Sequence, residues 1–281
     1  MNFENLLQII VTAIIQGITE FLPVSSSGHI LFVNKIFDWK DVINLNLYVA
    51  VHFGTLAAVI KYFWSDIKKY FIFGFIKIFE KKEENQLQSR MLTNIIISTL
   101  PIAFVGYFLT TTSGDNKILN NLYTPSTLIF STFFFAIILF ISDKTKPGPP
   151  LATEKEFDNL SFVHALFIGI FQIFALIPGA SRAGVCISAA RFLGYNRISA
   201  TKYSMYLSVP TIFGAVIVVN TNLVDWSFSF TWLEAFFGFI LSFVFAFFTI
   251  DFFLKILKKI SLTIFVIYRI LLAILMFAYM F

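Results

Sequence analysis

Three residues with hydrolytic chemistry lie close together near the start of the chain: Glu20, Ser26 and His29. A serine hydroxyl becomes a nucleophile when an adjacent base takes its proton. Ser26 and His29 are three residues apart, a spacing that places them on one face of a helix, so His29 is a candidate base for a Ser26 nucleophile. Two alternatives stay open: His29 is itself the nucleophile, or water attacks directly.

The residues around Ser26 also predict an anion site. Pro23 is followed by the run Ser25-Ser26-Ser27-Gly28, which is typical of the start of a helix. The free N–H groups and the positive dipole end of such a helix bind anions, and phosphate is a usual occupant. Capping a helix needs one serine, so we assign phosphate binding to Ser25, Ser27 and Gly28 beside the candidate nucleophile.

A second polar segment, Pro178-Gly-Ala-Ser-Arg-Ala-Gly184, supplies complementary groups. The guanidinium of Arg182 is a permanently charged planar fork that matches the geometry of phosphate. Ser181 is a candidate helix cap or phosphate ligand, and the glycines allow the backbone to approach an anion closely. The two segments together predict one pocket for phosphoryl transfer. The catalytic residues that we expect there are Glu20, Ser26, His29 and Arg182.

Candidate metal ligands are few. Glu20 is the one acid inside an apolar segment, and Gln16 lies four residues earlier on the same helix face. A single Mg²⁺ or Ca²⁺, held by Glu20, Gln16, waters and phosphate oxygens, is the cofactor that these ligands predict. A two-metal cage is not expected, and the three histidines lack the spacing of a zinc site.

The elements that must position these residues are membrane helices. Hydrophobic residues make up 58% of the 281 positions and charged residues only 13%, about half the charged share of a soluble domain. Several apolar runs approach the roughly 20 residues that a helix needs to cross the hydrocarbon core. These runs are Leu45–Trp64, Leu92–Thr112, Thr124–Ser142, Tyr203–Asn220, Trp232–Ile250 and Leu262–Phe281. The alternating segments of a membrane β-barrel do not occur in the sequence.

Basic residues set the expected orientation. Segments 65–91, 143–162 and 251–261 are rich in Lys and Arg, whereas segment 113–123 has one and segment 221–231 has none. The positive-inside rule places the basic segments in the cytoplasm. Membrane topology therefore explains the net charge of +5, and we expect no nucleic-acid partner.

Two further apolar stretches, 6–37 and 163–196, are each interrupted by a proline and small polar residues. The charge pattern requires the second stretch to start and finish in the cytoplasm, which predicts a re-entrant helical hairpin. We expect the first stretch to be a hairpin that enters from the opposite side. A single span with a proline kink is the alternative for the first stretch.

The two interrupted stretches also match in sequence, because a serine, Ser26 or Ser181, lies three positions after each proline. We therefore predict an all-α polytopic membrane protein with an inverted-topology repeat, built from two re-entrant helical hairpins and about six transmembrane helices. The expected single domain, 1–281, comprises repeat one at 1–142, a cytoplasmic linker at 143–161 and repeat two at 162–281.

The same residues carry a resemblance to a known family. The stretch Gln16-Gly-Ile-Thr-Glu20-Phe-Leu-Pro-Val-Ser-Ser-Ser-Gly-His29 and the segment 178–184 resemble the two signatures of the undecaprenyl-diphosphatase family, also called bacitracin-resistance proteins. The resemblance covers essentially the whole chain. It implies hydrolysis of undecaprenyl diphosphate to undecaprenyl phosphate and inorganic phosphate. This reaction recycles the lipid carrier for peptidoglycan synthesis and confers bacitracin resistance.

The resemblance also implies a multi-pass protein of the bacterial cytoplasmic (inner) membrane, in contact with membrane lipid. It implies a site that faces the periplasm or exterior and a dependence on a divalent cation. The catalytic roles of the family pass by direct match to Glu20, Ser26, His29 and Arg182, and Gln16 is a variant of a family Glu.

Two positions depart from the family pattern. Ala183 replaces the usual serine after Arg182, and Cys186 stands where threonine is often found. Both changes remove hydroxyl groups, so the second segment is expected to contribute mainly its arginine. The rival function is a transporter or lipid flippase, because inverted repeats and broken helices are transport architecture. Lipid flipping by the same enzyme and a homodimeric state are both left open.

Overall fold

The computed structural model describes residues 3–39, 45–78, 86–112, 122–146, 160–222 and 231–281. The regular secondary structure in these ranges is helical, of the α, 3₁₀ and π types, and the described residues contain no strand. The all-α prediction is confirmed. Most of the expected linker at 143–161, and parts of the loops whose charges were counted, lie outside the described residues.

The α-helices follow the predicted apolar runs and interruptions. They are α1 (Phe3–Thr19), α2 (Ser26–Ile36), α3 (Leu45–Tyr62), α4 (Trp64–Ile67), α5 (Phe73–Ile78), α6 (Gln86–Thr112), α7 (Pro125–Asp143), α8 (Phe162–Gln172), α9 (Arg182–Phe192), α10 (Arg197–Asn222), α11 (Trp232–Ile256) and α12 (Thr263–Met280). A π-helical segment, Lys68–Ile72, joins α4 to α5, and a 3₁₀ turn, Ile173–Leu176, extends α8.

Among the described residues, four helices are long and apolar enough to cross a membrane: α6, α7, α11 and α12. The helix α3 adds a fifth candidate together with the segment after Tyr62, which bends away by 85°. A multi-pass membrane protein is therefore supported. The remaining expected span, 203–220, is helical as part of α10. The helix α10 is not, however, among those that are both long and apolar enough to cross a membrane.

Small residues let the short helices α1 and α8 pack closely on long neighbours. A Cβ added to Gly17 would lie 2.7 Å from the Cβ of Phe245 in α11, and one added to Gly169 would lie 2.7 Å from the carbonyl oxygen of Ser98 in α6. Only glycine fits at such distances, as in other membrane helix contacts. The Ser98 hydroxyl also donates to the carbonyl of Ala165 at 2.7 Å.

The two predicted interruptions occur where the prolines lie. The helix α1 ends at Thr19, and the chain leaves the helical conformation before Pro23. In the second interruption Ile177 is extended, with φ −83° and ψ 121°, as the residue before a proline prefers. New helices, α2 and α9, then begin at Ser26 and Arg182.

A buried charged cluster joins helix ends far from these interruptions. The Asp143 carboxylate accepts hydrogen bonds from Arg197 Nε at 2.6 Å and from the amide of Leu262 at 3.1 Å. The buried Arg191 donates to the carbonyl oxygens of Tyr195 at 2.6 Å and Asp143 at 3.1 Å. Each buried charge has several partners, which is what burial of an ion requires.

Candidate active site

Both interruptions start a helix with the same backbone geometry. Ser25 caps α2 with φ 73° and ψ 98°, and its Oγ accepts a hydrogen bond from the Gly28 amide at 3.2 Å. Ser181 caps α9 with φ 70° and ψ 108°, and its Oγ accepts from the Gly184 amide at 3.2 Å. A serine at positive φ costs about 1–3 kcal/mol, so the surrounding structure must hold both residues in place.

These caps correct the register in which the sequence pairs the two loops. Alignment on the prolines pairs Ser26 with Ser181, whereas the capping geometry pairs Ser25 with Ser181. In the structural register Ser26 corresponds to Arg182, because each is the first residue of its helix. The nucleophile candidate and the arginine therefore occupy equivalent positions.

The carboxylate of Glu20 is the point where the two loops meet. Its Oε1 accepts a hydrogen bond from Arg182 Nη2 at 2.7 Å. Its Oε2 accepts from Gln16 Nε2 at 2.8 Å and from Ser26 Oγ at 3.2 Å. The side chains of Glu20 and Arg182 are only 8% and 11% exposed, so this ion pair is strengthened by its low-dielectric surroundings. The structure thus brings together Glu20, Ser26 and Arg182 from the predicted set.

The guanidinium of Arg182 is held from two further sides. Its Nη1 donates to the carbonyl of Ser204 in α10 at 2.9 Å, and its Cζ lies 6.0 Å from the centre of the Phe21 ring. One edge of the guanidinium faces Glu20 Oε1, and the other oxygen of the same carboxylate binds the partly exposed Ser26. An anion that reaches Ser26 therefore meets Arg182 at the same place.

The other predicted phosphate ligands divide into buried caps and one exposed hydroxyl. Ser25 and Ser181 are 3% and 8% exposed, and the Ser181 hydroxyl donates to the Leu22 carbonyl at 3.5 Å. Ser27 is exposed, and its Oγ lies 3.3 Å from the Oγ of Ser25. The Gly28 amide is occupied by its cap, as described above. Ser27 and Arg182 are therefore the predicted ligands with the most accessible polar groups.

His29 makes its contacts away from the Ser26 hydroxyl. Its Nδ1 lies 2.6 Å from the carbonyl oxygen of Ser25, and its Nε2 lies 2.6 Å from the hydroxyl of Tyr268 in α12. Because a carbonyl can only accept, Nδ1 carries a proton, and in the neutral imidazole Nε2 then accepts from Tyr268. Within the described residues, the expected hydrogen bond between Ser26 and His29 does not form. His29 instead hydrogen-bonds the backbone of the Ser25 cap, and the Glu20 carboxylate is the group that accepts the hydrogen bond of the Ser26 hydroxyl.

Replacing His29 with Asn tests this assignment. The Asn side-chain amide can still donate to the Ser25 carbonyl, but it has no imidazole to act as a base. We expect catalytic activity to stay within about tenfold of wild type, because His29 does not bind the Ser26 hydroxyl, whereas the loss of a general base would cost about 10²–10⁴-fold. A larger loss in His29→Asn, measured as kcat on equally folded protein, would restore His29 as the base or nucleophile.

The two departures from the family pattern lie in helix packing. The Cys186 thiol donates to the Oε1 of Gln172 at 3.4 Å, and the Nε2 of Gln172 donates to the Ser98 carbonyl at 3.0 Å. Ala183 is 2% exposed and belongs to the hydrophobic core. Among the described residues, the side chains that hydrogen-bond Glu20 are those of Gln16, Ser26 and Arg182, and neither Cys186 nor Ala183 is one of them. The departures therefore leave the Glu20 cluster intact.

The candidate metal ligands are Gln16 and Glu20, as the sequence predicts. Gln16 is fully buried, and its Oε1 has no hydrogen-bond partner among the described residues. An amide oxygen suits a hard divalent cation, and it would lie beside the carboxylate if the amide, whose Nε2 now donates to Glu20, were turned over. In the part of the chain that the structure describes, no three His, Cys, Asp or Glu side chains form a metal cluster. The Mg²⁺ or Ca²⁺ site stays a prediction, and substrate oxygens and waters would complete it.

Two residues of α12 belong to this region and were missed by sequence reasoning: Tyr268 and Arg269. Tyr268 binds His29, and Arg269 donates to backbone carbonyls of both loops. The sequence did contain one signal for this region: Arg269 is a charged residue inside an apolar span, and such residues usually have a functional role.

Comparison with known proteins gives a consistent result. Residues 9–275 match the family model of the bacitracin resistance protein BacA. The chain is 38% identical over 275 residues to an undecaprenyl-diphosphatase of Pelagibacter ubique, covering 98% of each chain. It is 38% identical over 266 residues to an undecaprenyl-diphosphatase of Hahella chejuensis, covering 95% of each. It is 36% identical over 273 residues to one of Idiomarina loihiensis, covering 97% of this chain and 98% of the relative.

Proposed function

The chain belongs to the bacitracin resistance protein (BacA) family, and from this membership we propose that it hydrolyses undecaprenyl diphosphate to undecaprenyl phosphate and inorganic phosphate. Its relatives over nearly the full length are named undecaprenyl-diphosphatase, which makes the chain a phosphatase. The observation that carries the proposal is the Glu20 carboxylate, which is joined at once to the Ser26 hydroxyl and to the Arg182 guanidinium.

Arg182 is the first group to bind the terminal phosphate. In the resting arrangement its guanidinium neutralises Glu20 across 2.7 Å. A phosphate group offers the same fork a bidentate, charge-assisted contact. As Arg182 turns to the phosphate, Glu20 keeps its hydrogen bonds from Gln16 and Ser26 and becomes available to take a proton. Substrate binding thereby breaks the ion pair of Arg182 with Glu20 and leaves Glu20 to act as the base beside the Ser26 nucleophile.

Ser26 then attacks the terminal phosphorus. Its hydroxyl proton passes to Glu20 Oε2, which lies 3.2 Å from Oγ in the structure. The bond between the terminal phosphorus and the bridging oxygen breaks, and undecaprenyl phosphate leaves with the bridging oxygen. Arg182 stabilises the charge on the transferred group, which is the main requirement of phosphoryl transfer.

Water completes the reaction. It attacks the phosphoserine, and the proton on Glu20 returns to Ser26 Oγ as the P–Oγ bond breaks. The oxygen and one proton of water leave as part of hydrogen phosphate, and the second proton passes to solvent. Serine and carboxylate are restored for the next turnover.

A divalent cation fits this proposal at Gln16 and Glu20. With the Gln16 amide turned over, so that its buried Oε1 replaces the Nε2 beside Glu20, these two side chains would hold Mg²⁺ or Ca²⁺ together with phosphate oxygens and water. When bound, such a cation supplies positive charge that neutralises the diphosphate.

Replacing Gln16 with Glu is expected to tighten cation binding. The change adds a carboxylate next to Glu20, and hard cations prefer carboxylate to amide oxygen. We expect the Mg²⁺ concentration for half-maximal activity to fall by about tenfold, since one added charge contributes on the order of 1 kcal/mol or more at this distance. Titration of activity with Mg²⁺ and Ca²⁺ measures this shift, and an unchanged midpoint would remove Gln16 from the cation site.

We propose that the fold is an inverted-topology repeat with two re-entrant hairpins and about six spans. The matching caps at Ser25 and Ser181 support this, as does the exchange of packing partners, in which α1 contacts α11 and α8 contacts α6. The charge distribution supports a site that faces the periplasm or exterior of the bacterial inner membrane. In the cell the reaction would recycle the lipid carrier for peptidoglycan synthesis and confer bacitracin resistance.

A transporter of intact lipid is the second candidate, because broken helices also form transport sites. The two functions separate in one experiment with purified protein in lipid vesicles that contain undecaprenyl diphosphate. We expect release of inorganic phosphate that depends on the protein. Movement of intact undecaprenyl diphosphate across the vesicle membrane without phosphate release would contradict the phosphatase and favour the transporter.

A further inference from the structure

Arg269 binds the backbone of both interrupted loops from the last helix. Its side chain is 0% exposed, and its Nη2 donates to the carbonyl oxygen of Gly179 at 2.8 Å. Its Nη1 donates to the carbonyls of Ala180 at 3.1 Å and Pro23 at 3.3 Å. Its Nε donates to the carbonyl of Thr132 in α7 at 3.2 Å. One guanidinium therefore ties the two loops to each other and to α7.

The carbonyls that Arg269 holds are equivalent in the two loops. Pro23 lies two residues before the capping Ser25, and Gly179 lies two residues before the capping Ser181. Both capping serines have positive φ, at 73° and 70°. Such residues persist only where the surrounding structure fixes them, and Arg269 supplies that fixation on both sides at once.

A cation with these partners is suited to orienting backbone. The carbonyl oxygens that it binds are the negative ends of peptide groups, so their dipoles stabilise the buried charge. Without the guanidinium, three loop carbonyls would lose a buried hydrogen bond, at a cost of about 1–3 kcal/mol for each unpaired group. The loops would then relax away from their present positions.

We infer that Arg269 is the positioning residue that sets the distance between Ser26 and Arg182 around Glu20; this role rests on the proposed phosphatase. Pro23 lies midway between Glu20 and Ser26 in sequence, and Ala180 lies two residues before Arg182. Arg269 does not hydrogen-bond Glu20, Ser26 or Arg182 among the described residues. It acts on the reaction through the backbone that carries them.

Kinetics of Arg269 variants test the inference. We expect Arg269→Met to lower kcat by about 100-fold or more with KM within about threefold, because a displacement near 1 Å costs about that much in rate. Arg269→Lys keeps the charge and reaches some of the carbonyls, so it should recover about tenfold of the loss. The measurement is initial-rate phosphate release from undecaprenyl diphosphate by detergent-purified protein.

Arg191→Met is the matched control. Arg191 is also buried, at 3% exposure, and also donates to backbone carbonyls, those of Asp143, Thr145 and Tyr195. It binds neither loop in the described structure. We expect Arg191→Met to lower the melting temperature while kcat stays within about threefold of wild type, as for a contact outside the site. An equal kcat loss in both variants would reduce Arg269 to a general stability residue.

Hydrogen–deuterium exchange gives a readout that does not depend on activity. In Arg269→Met, peptides covering both 20–29 and 177–185 should exchange at least about tenfold faster, because their local opening becomes easier. In Arg191→Met those peptides should be unchanged. Faster exchange in only one loop, or in neither, would overturn the inference, as would loss of folding in both Arg269→Met and Arg269→Lys. Absence of phosphate release by wild type would instead overturn the proposed function, and the exchange result would still decide the role of Arg269.

Discussion

Replacing Glu20 with Gln is expected to lower phosphate release by about 10³-fold, because the amide cannot take the Ser26 proton and general-base catalysis contributes about 10²–10⁴-fold. Gln keeps the shape of the side chain, so the position of Ser26 should change little. The change also removes the charge that pairs with Arg182. The measurement is kcat for phosphate release from undecaprenyl diphosphate, on protein shown to be folded by size-exclusion chromatography.

A matched control for this substitution is Glu234→Gln. Glu234 is likewise buried, at 5% exposure, and its Oε2 accepts hydrogen bonds from the amide and hydroxyl of Thr231 at 2.7 Å and 2.9 Å. It caps α11 and contacts no predicted site residue among those described. We expect kcat within about twofold of wild type, with a small loss of stability from the weaker cap. A Glu20→Gln variant that retains a tenth or more of wild-type kcat would exclude Glu20 as the base.

Replacing Ser26 with Ala is the second change expected to have a large effect. It removes the nucleophile while the backbone of α2 and its Ser25 cap stay in place. We expect a loss of about 10³-fold or more in kcat, since attack by water at the same phosphorus lacks the activated nucleophile. Ser27→Ala serves as comparison at the neighbouring exposed hydroxyl, where a severalfold rise in KM with little change in kcat is expected. Activity of Ser26→Ala within a few-fold of wild type would eliminate the serine mechanism.

Labelled substrate identifies the residue that carries the phosphoryl group. A reaction of wild type with lipid labelled in its terminal phosphate, quenched early, should leave label on Ser26. Label on His29 would select the alternative in which the imidazole is the nucleophile. Turnover without any protein-bound label, together with an active Ser26→Ala variant, would select direct attack by water.

The sequence predicts the helix breaks from local signals, and it predicts the meeting of Glu20, Ser26 and Arg182 from the charges buried in apolar segments. Proline removes a backbone donor and weakens a helix, as at Pro101 and Pro210, which the helices α6 and α10 tolerate. Serine followed by small residues starts a new helix, so proline together with such a run marks a break. A carboxylate and a guanidinium inside apolar segments need each other as partners. The contacts between Glu20, Ser26 and Arg182 follow from these constraints even though the two loops are far apart in sequence.

The partner of His29 does not follow from its spacing. Two residues at i and i+3 share a helix face, but their side chains need not meet. Here the Ser25 carbonyl, which also accepts from the His29 amide at the start of α2, binds Nδ1 of the His29 ring. A distant residue, Tyr268, binds the other ring nitrogen. The Ser26 hydroxyl is left to Glu20 as a result.

The register in which the two loops correspond could not be predicted from the sequence pattern either. The prolines suggest a pairing of Ser26 with Ser181, and only the backbone geometry shows that Ser25 is the equivalent cap. The role of Arg269 depends on tertiary packing that joins α12 to both loops. No local pattern in its own helix identifies the carbonyls to which it binds.

The most direct test of the account is the fate of undecaprenyl diphosphate on incubation with the purified chain and with its Ser26→Ala variant. Lipid products are identified by mass spectrometry, and inorganic phosphate is counted in the same samples. The account predicts that the wild type yields one phosphate and one undecaprenyl phosphate per lipid consumed, while the folded variant leaves the diphosphate intact. Intact diphosphate after incubation with folded wild type, or equal conversion by both proteins, would contradict it.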